Sequence, residues 1–130
     1  MSEIGDPAVR RATTLATRYA GRAGEELLRP LIEREFPGGI ALLSSFGSEA
    51  ALLLDIVARI DPGVPVIFLD TGKLFGETLR YRDRLARRLG LKDLRVVRPA
   101  PAEVAAEDPD GTLWHDSPDA CCALRQVVPL

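Results

Sequence analysis

The chain has 130 residues, 46% hydrophobic and 28% charged, a balance that fits one soluble globular domain and excludes a disordered polar tail. Its formal net charge of −2 gives no electrostatic footing for nucleic acid across the whole domain. The densest apolar stretch, Ala50 to Ala58, is interrupted by Asp55 and is too short to cross a bilayer, so no membrane partner is expected.

Asp6-Pro7 reads as an N-cap followed by proline at the first helical position, and Val9, Ala12, Ala16 and Tyr19 recur behind it at helical spacing. Gly21 and Gly24 bracket a break. A second helical pattern runs from Glu25 to Phe36 through Leu27, Leu28, Leu31 and Ile32, with Pro30 expected to kink it or mark its true start. Pro37-Gly38-Gly39 is a turn. Ile40-Ala41-Leu42-Leu43 then has the continuous apolar character of a strand buried on both faces.

A helix is expected from Glu49 to Ile60 with Leu53, Ile56, Val57 and Ile60 on its inner face, stopped by Asp61-Pro62-Gly63. Val64 to Leu69 reads as a second buried strand and Gly76 to Leu89 as a helix closed by Gly90. That helix carries Arg82, Arg84, Arg87 and Arg88 on what should be a mostly solvated face, with Asp83 and Arg87 spaced as an ion pair. Leu94 to Val97 is a third strand. From Pro99 to Asp119 the pattern dissolves into a short helix and a long loop, leading to a last helical stretch from about Cys121. Strands alternating with helices through short connections imply an α/β, Rossmann-like parallel sheet.

Ligands of such sheets bind beyond the carboxyl ends of the strands, and two polar clusters fall there. Ser44, Ser45, Phe46, Gly47 and Ser48 offer hydroxyls, backbone N–H groups and a helix N-terminus suited to an anion; a plain helix-capping turn would have the same composition. Asp70, Thr71, Gly72 and Lys73 offer an acid for ribose or amine hydrogen bonds and a cation for phosphate or sulfate; a turn with an N-cap is the other reading. Side by side, the two loops favour a nucleotide. Two cysteines occur, Cys121 and Cys122, and neighbouring cysteines bridge each other poorly. They read as metal-binding or reactive thiols, or else as small buried hydrophobes, a choice the charged neighbours Asp119 and Arg125 tilt against deep burial. His115, the single histidine, sits in the loop and reads as a surface residue. The start, Met1 to Asp6, lacks the basic and apolar regions of a secretory signal, which makes a cytoplasmic location the expectation.

Taken in order, Ser44-Ser45-Phe46-Gly47-Ser48-Glu49-Ala50, Leu69-Asp70-Thr71-Gly72-Lys73-Leu74-Phe75-Gly76-Glu77-Thr78 and Cys121-Cys122-Ala123-Leu124-Arg125 resemble successive signatures of the adenylyl-sulfate and phosphoadenylyl-sulfate reductases, the sulfonucleotide reductases. The likeness runs from about Leu27 to Leu130. It implies a fold of the adenine-nucleotide alpha-hydrolase type, a single nucleotide-binding domain over 1–130 with 1–37 as a helical lead-in, and a substrate site at both loops. It also implies reduction of adenylyl sulfate to sulfite and AMP in sulfate assimilation, with thioredoxin as reductant. The cysteine pair is similar to that of the iron–sulfur branch, so Cys121 and Cys122 would be two ligands of a [4Fe–4S] cluster, completed by a later CxxC pair.

The family's nucleophilic cysteine and that CxxC pair do not occur in these 130 residues. The chain is therefore expected to be an N-terminal portion, without a catalytic residue of its own and inactive alone. Gly76, Gln126 and Val128 stand where the family usually has proline, lysine and glutamate. Three alternatives remain: a 3′-phosphoadenylyl-sulfate reductase, an adenylating ATP pyrophosphatase, and a non-catalytic nucleotide-binding remnant. A homo-oligomer is left open.

Overall fold

A computed structural model describes residues 5–130; Met1 to Ile4, part of the segment read for a secretory signal, lie outside the described residues. Helix α1 spans Pro7–Arg18 and starts as its sequence dictates, with the Asp6 carboxylate accepting from the Ala8 N–H at 2.9 Å. It buries none of its own residues. The lead-in is held instead by polar contacts to Glu35 and Phe36: the Tyr19 hydroxyl donates to Glu35 at 2.6 Å, Arg18 pairs with the same carboxylate at 2.7 Å, and Arg11 donates to the Glu35 carbonyl at 2.8 Å and lies over the Phe36 ring.

Helix α2 (Glu25–Pro30) does not break at its proline. It continues as a π-turn over Leu31–Glu35, closed by the Phe36 N–H donating to the Leu31 carbonyl at 2.9 Å. Proline brings no N–H and crowds the preceding turn, and a wider turn accommodates both.

Strands β1 (Leu42–Leu43), β2 (Val66–Leu69) and β3 (Leu94–Val97) form a parallel sheet in the order β1-β2-β3. Leu42 registers with Val66, which in turn registers with Leu94. The expected strand from Ile40 shrinks to two residues, and it is not buried on both faces: Leu43 is 50% exposed. Leu43 opens on a cavity rather than on a packed layer.

The crossover helices are α3 (Ala50–Ile60) and α4 (Gly76–Leu89). In α3 the buried residues are Leu54, Val57 and Ala58; of the expected face Val57 is buried and Ile60 packs against the second apolar cluster, whereas Leu53 is 40% exposed and Leu54 is buried in its place. The unbroken run Ala50-Ala51-Leu52-Leu53-Leu54 carries no polar residue to fix its phase. Helix α4 ends as expected on left-handed Gly90, φ 71°. Asp83 pairs with Arg82 at 2.9 Å and not with Arg87. Arg82 leaves the solvated face altogether, its guanidinium lying 5.0 Å over the Phe68 ring.

The core beneath the sheet is Phe46, Leu54, Val66 and Phe68, with Leu42, Leu79, Leu85, Leu89, Leu91, Leu94 and Val96 against it. A second cluster joins Ile32, Val57 and Val64. The segment after β3 is more ordered than its composition suggests. It holds three short helices, α5 (Pro101–Glu107), α6 (Leu113–Asp116) and α7 (Pro118–Cys122), the last beginning before Cys121 and running into a π-turn over Ala123–Val127.

Candidate functional site

Both polar loops emerge from the carboxyl ends of their strands on the same side of the sheet. Ser44, Ser45 and Thr71 line one cavity of about 390 Å³ whose apolar walls are Leu43, Phe68, Leu69 and Leu74. A second cavity of about 310 Å³ is lined by Thr71, Lys73, Trp114, Cys121, Cys122, Arg125 and Gln126. Thr71 and Gln126 border both.

The serine loop turns on Phe46, the one non-glycine residue with positive φ (58°) among the described residues. That turn drives the Phe46 ring inward, where it is 1% exposed and meets Phe68 edge-on at 5.7 Å. Phe46 thus packs in the core, and whatever it offers a ligand comes through its backbone. The buried Ser44 hydroxyl accepts from the Phe46 N–H at 3.2 Å, and Ser45 accepts from the Gly47 N–H at 3.3 Å. Gly47 and Ser48 are exposed in the turn into α3 and line neither cavity.

The second loop is built by its own side chains. Asp70 accepts from the Gly72 N–H at 3.0 Å and pairs through its other oxygen with Arg98 at 3.3 Å. Thr71 is buried and its hydroxyl accepts from the Lys73 N–H at 3.2 Å. Gly72, at φ 79°, lets the Arg125 guanidinium approach: a Cβ there would lie 3.3 Å from Nη1. The Lys73 ammonium donates to the Gly111 carbonyl at 2.7 Å, which fixes it at the cavity wall.

Cys121 is half-buried and Cys122 exposed, and both thiols are free. Arg125, read from sequence as a sign of an exposed neighbourhood, is itself buried. Its Nη2 donates to Asp108 Oδ2 at 2.7 Å, and Nη1 donates to the Thr71 carbonyl at 2.6 Å, while Nε has no partner. Asp108 also accepts from the Leu113 N–H at 3.0 Å. Asp108, Arg98, Trp114 and Gln126 were not singled out as site residues on sequence. Asp108 lies in an acid-rich stretch that gives no cue, whereas Arg125, four places after Cys121, carried a helical-spacing cue. His115 is exposed and borders neither cavity.

The arginine bond holds the Asp108 carboxyl below the usual carboxylate range. Glu35 is lowered in the same sense, first by the Tyr19 hydroxyl and then by Arg18, and Asp93 by Arg95. Each folded-state pKa lies below its unfolded value, so the stability these groups contribute is present above the ordinary carboxylate range. It disappears as pH falls through the lowered values. The melting temperature should therefore hold between pH 7 and about 5 and drop steadily below about 4. Asp108→Asn should flatten part of that drop in a calorimetric pH series.

The donor set for a metal is partial. Two thiols share the smaller cavity, and no group of three or more His, Cys, Asp or Glu residues gathers among the described residues. A four-iron cluster takes four cysteines, so these residues fit half of one. Among the described residues no helix is long and apolar enough to cross a membrane.

Residues 39–130 match the family described as phosphoadenosine phosphosulfate reductase domain. The chain is 45% identical over 120 residues to an adenosine 5′-phosphosulfate reductase of Chelativorans sp. strain BNC1, a match covering 92% of this chain and 49% of the relative. It is 41% identical over 130 residues to that of Mesorhizobium japonicum, covering 100% of this chain and 51% of the relative. A phosphoadenosine 5′-phosphosulfate reductase of Alkalilimnicola ehrlichii is 46% identical over 98 residues, 75% of this chain and 39% of the relative. The chain thus spans about half the length of the first two relatives. In fold it is similar to a crystal structure of phosphoadenylyl-sulfate reductase from Candida auris, a phosphate complex. The TM-score is 0.73 at 22% identity, over 99% of this chain and 60% of that one.

Proposed function

The chain belongs to the phosphoadenosine phosphosulfate reductase family, and from that premise we propose that it is the nucleotide-binding part of an adenylyl-sulfate reductase. The observation that carries this reading is the pair of adjoining cavities that share Thr71 and Gln126. The larger has the apolar walls and hydroxyl edge that suit an adenosine, with Ser44, Ser45 and Thr71 on its lining; Asp70 and Gly72 line neither cavity and serve the site by holding the turn that carries Thr71 and Lys73. The smaller has Lys73, whose charge suits the anionic tail, beside the cysteine pair. Phe46, Gly47 and Ser48 serve as the turn that presents the serine hydroxyls.

In the reaction a thiolate attacks the sulfur of adenylyl sulfate, the sulfur–oxygen bond to AMP breaks, and AMP leaves with the electron pair. A thioredoxin dithiol then reduces the thiosulfonate, releasing sulfite and becoming a disulfide. Cys121 and Cys122 are assigned here as ligands, so the attacking thiol is not among these 130 residues. Within the half-fit described above, the two thiols would hold two irons of a [4Fe–4S] cluster. Such a cluster, when bound, would add its own charge to the electrostatics of the opening that Cys121 and Cys122 border. What these residues do themselves is bind the nucleoside, aim the tail at Lys73, and keep both thiols at the same opening. Mixed naming among the relatives keeps the 3′-phosphorylated substrate as the runner-up.

Calorimetry of the chain with adenylyl sulfate, 3′-phosphoadenylyl sulfate, AMP and ATP tests the proposal. Binding should be tightest for adenylyl sulfate, and a thioredoxin-coupled assay of the chain alone should form no sulfite. Pyrophosphate release from ATP would point to the adenylating class. Failure to bind any of the four would leave a non-catalytic remnant.

A further inference from the structure

Arg125 stands apart from the other cations of this chain because it is buried, and its bonds run to two distant stretches. One goes to the carbonyl of Thr71, on the strand-end loop, and one to Asp108, after α5. Arg125 borders the same cavity as both cysteines. Lys73, which borders the same cavity, is tied to the Gly111 carbonyl, so the turn from Asp108 to Gly111 is fastened at both of its ends.

A buried arginine–carboxylate pair contributes little net stability over well-packed apolar residues of similar shape. What it supplies is direction. A planar fork that must satisfy two acceptors at once fixes the spacing and angle of the elements that carry them. The π-turn over Ala123–Val127 inserts a wider turn in the helix where Arg125 sits, a distortion found often at working sites.

We propose, resting on the nucleotide-binding reading above, that Arg125 is a positioning residue. Its guanidinium, locked between Thr71 and Asp108, sets the cysteine-bearing helix at a fixed distance from the loop that holds Lys73. The tail of the nucleotide then meets a cavity of one width, and Cys121 stays shielded while Cys122 stays open.

The test uses the full chain and two variants, R125L/D108L, which removes the pair without orphaning a charge, and D108N, which keeps an acceptor oxygen. Two quantities are read: the Cys121-to-Cys122 alkylation ratio with iodoacetamide, by peptide mass spectrometry, and the affinity ratio of adenylyl sulfate to AMP. In the folded double variant the alkylation ratio should rise at least about threefold, and adenylyl sulfate should lose about tenfold more affinity than AMP does. D108N should move both in the same direction by less, and it carries the test if the double variant does not fold. A folded variant that keeps both ratios overturns the positioning role. If the wild-type chain binds neither nucleotide while the alkylation ratio still shifts, the nucleotide reading falls and the positioning of the cysteine helix stands.

Discussion

Replacing Arg125 with leucine alone is expected to lower the melting temperature by roughly 10 °C or more, the largest effect of any single charged residue in this chain. The substitution leaves the Asp108 carboxylate with a side-chain exposure of only 2%, and it strips the Thr71 carbonyl of its donor. An acceptor left buried without its partner forfeits its hydration and gains nothing in return. Arg29 makes two ion pairs, with Glu25 and Glu33, yet its side chain is 46% exposed, and its loss should shift the midpoint by only a few degrees. Removing Asp108 as well should restore part of what Arg125→Leu loses, since the buried charge goes while the Thr71 carbonyl and the Leu113 N–H stay without partners. Differential scanning calorimetry on the three variants decides it. A single variant melting within about 3 °C of the wild type would mean that Asp108 reaches solvent.

The second large effect concerns Phe46. Phe46→Ala should cost about 3–5 kcal/mol, because a fully enclosed ring leaves a cavity against Phe68, Leu54 and Val66. Phe46→Gly should cost less than Phe46→Ala by on the order of 1 kcal/mol, since glycine accepts φ 58° without the steric penalty that alanine keeps. That inverted order is specific to a left-handed position, and urea denaturation midpoints measure it. Were alanine the milder change, the loop would not have the backbone described. Phe75 is the control: it is 76% exposed in the neighbouring loop, and Phe75→Ala should stay within about 0.5 kcal/mol of the wild type.

The two effects bear on function differently. Phe46 acts through the loop it anchors: its inward ring is what leaves the Ser44 and Ser45 hydroxyls at the cavity edge. Arg125 ties together stretches that share no backbone neighbourhood. A variant of the first kind should weaken every adenine nucleotide alike. One of the second kind should weaken those with the longer tail most.

Much of the architecture was legible from residue order. Asp6-Pro7 starts a helix because a carboxylate can satisfy a free N–H two residues on, and Gly90 ends one because its φ suits only a residue without a Cβ. The three strands and the polar clusters at their ends followed from apolar runs that stop at serine, aspartate and glycine, and these signals are local. Local signals do not reach every side chain. In the five-residue apolar run at the start of α3 it is Leu54 and not Leu53 that turns inward, and Asp83 takes Arg82 in place of the better-spaced Arg87.

What only the folded chain decided is which distant residues share a wall. Arg125 and Thr71 are 54 positions apart, and Lys73 and Gly111 are 38 apart. No period or motif spacing encodes such a contact. It exists because the sheet brings one loop beneath a helix that the sequence places much later. Periodicity and capping report the free energy of a few neighbouring residues, so they determined the elements and the two loops. Burying Arg125 depended on a partner carboxylate and a carbonyl arriving together, and that is a property of packing.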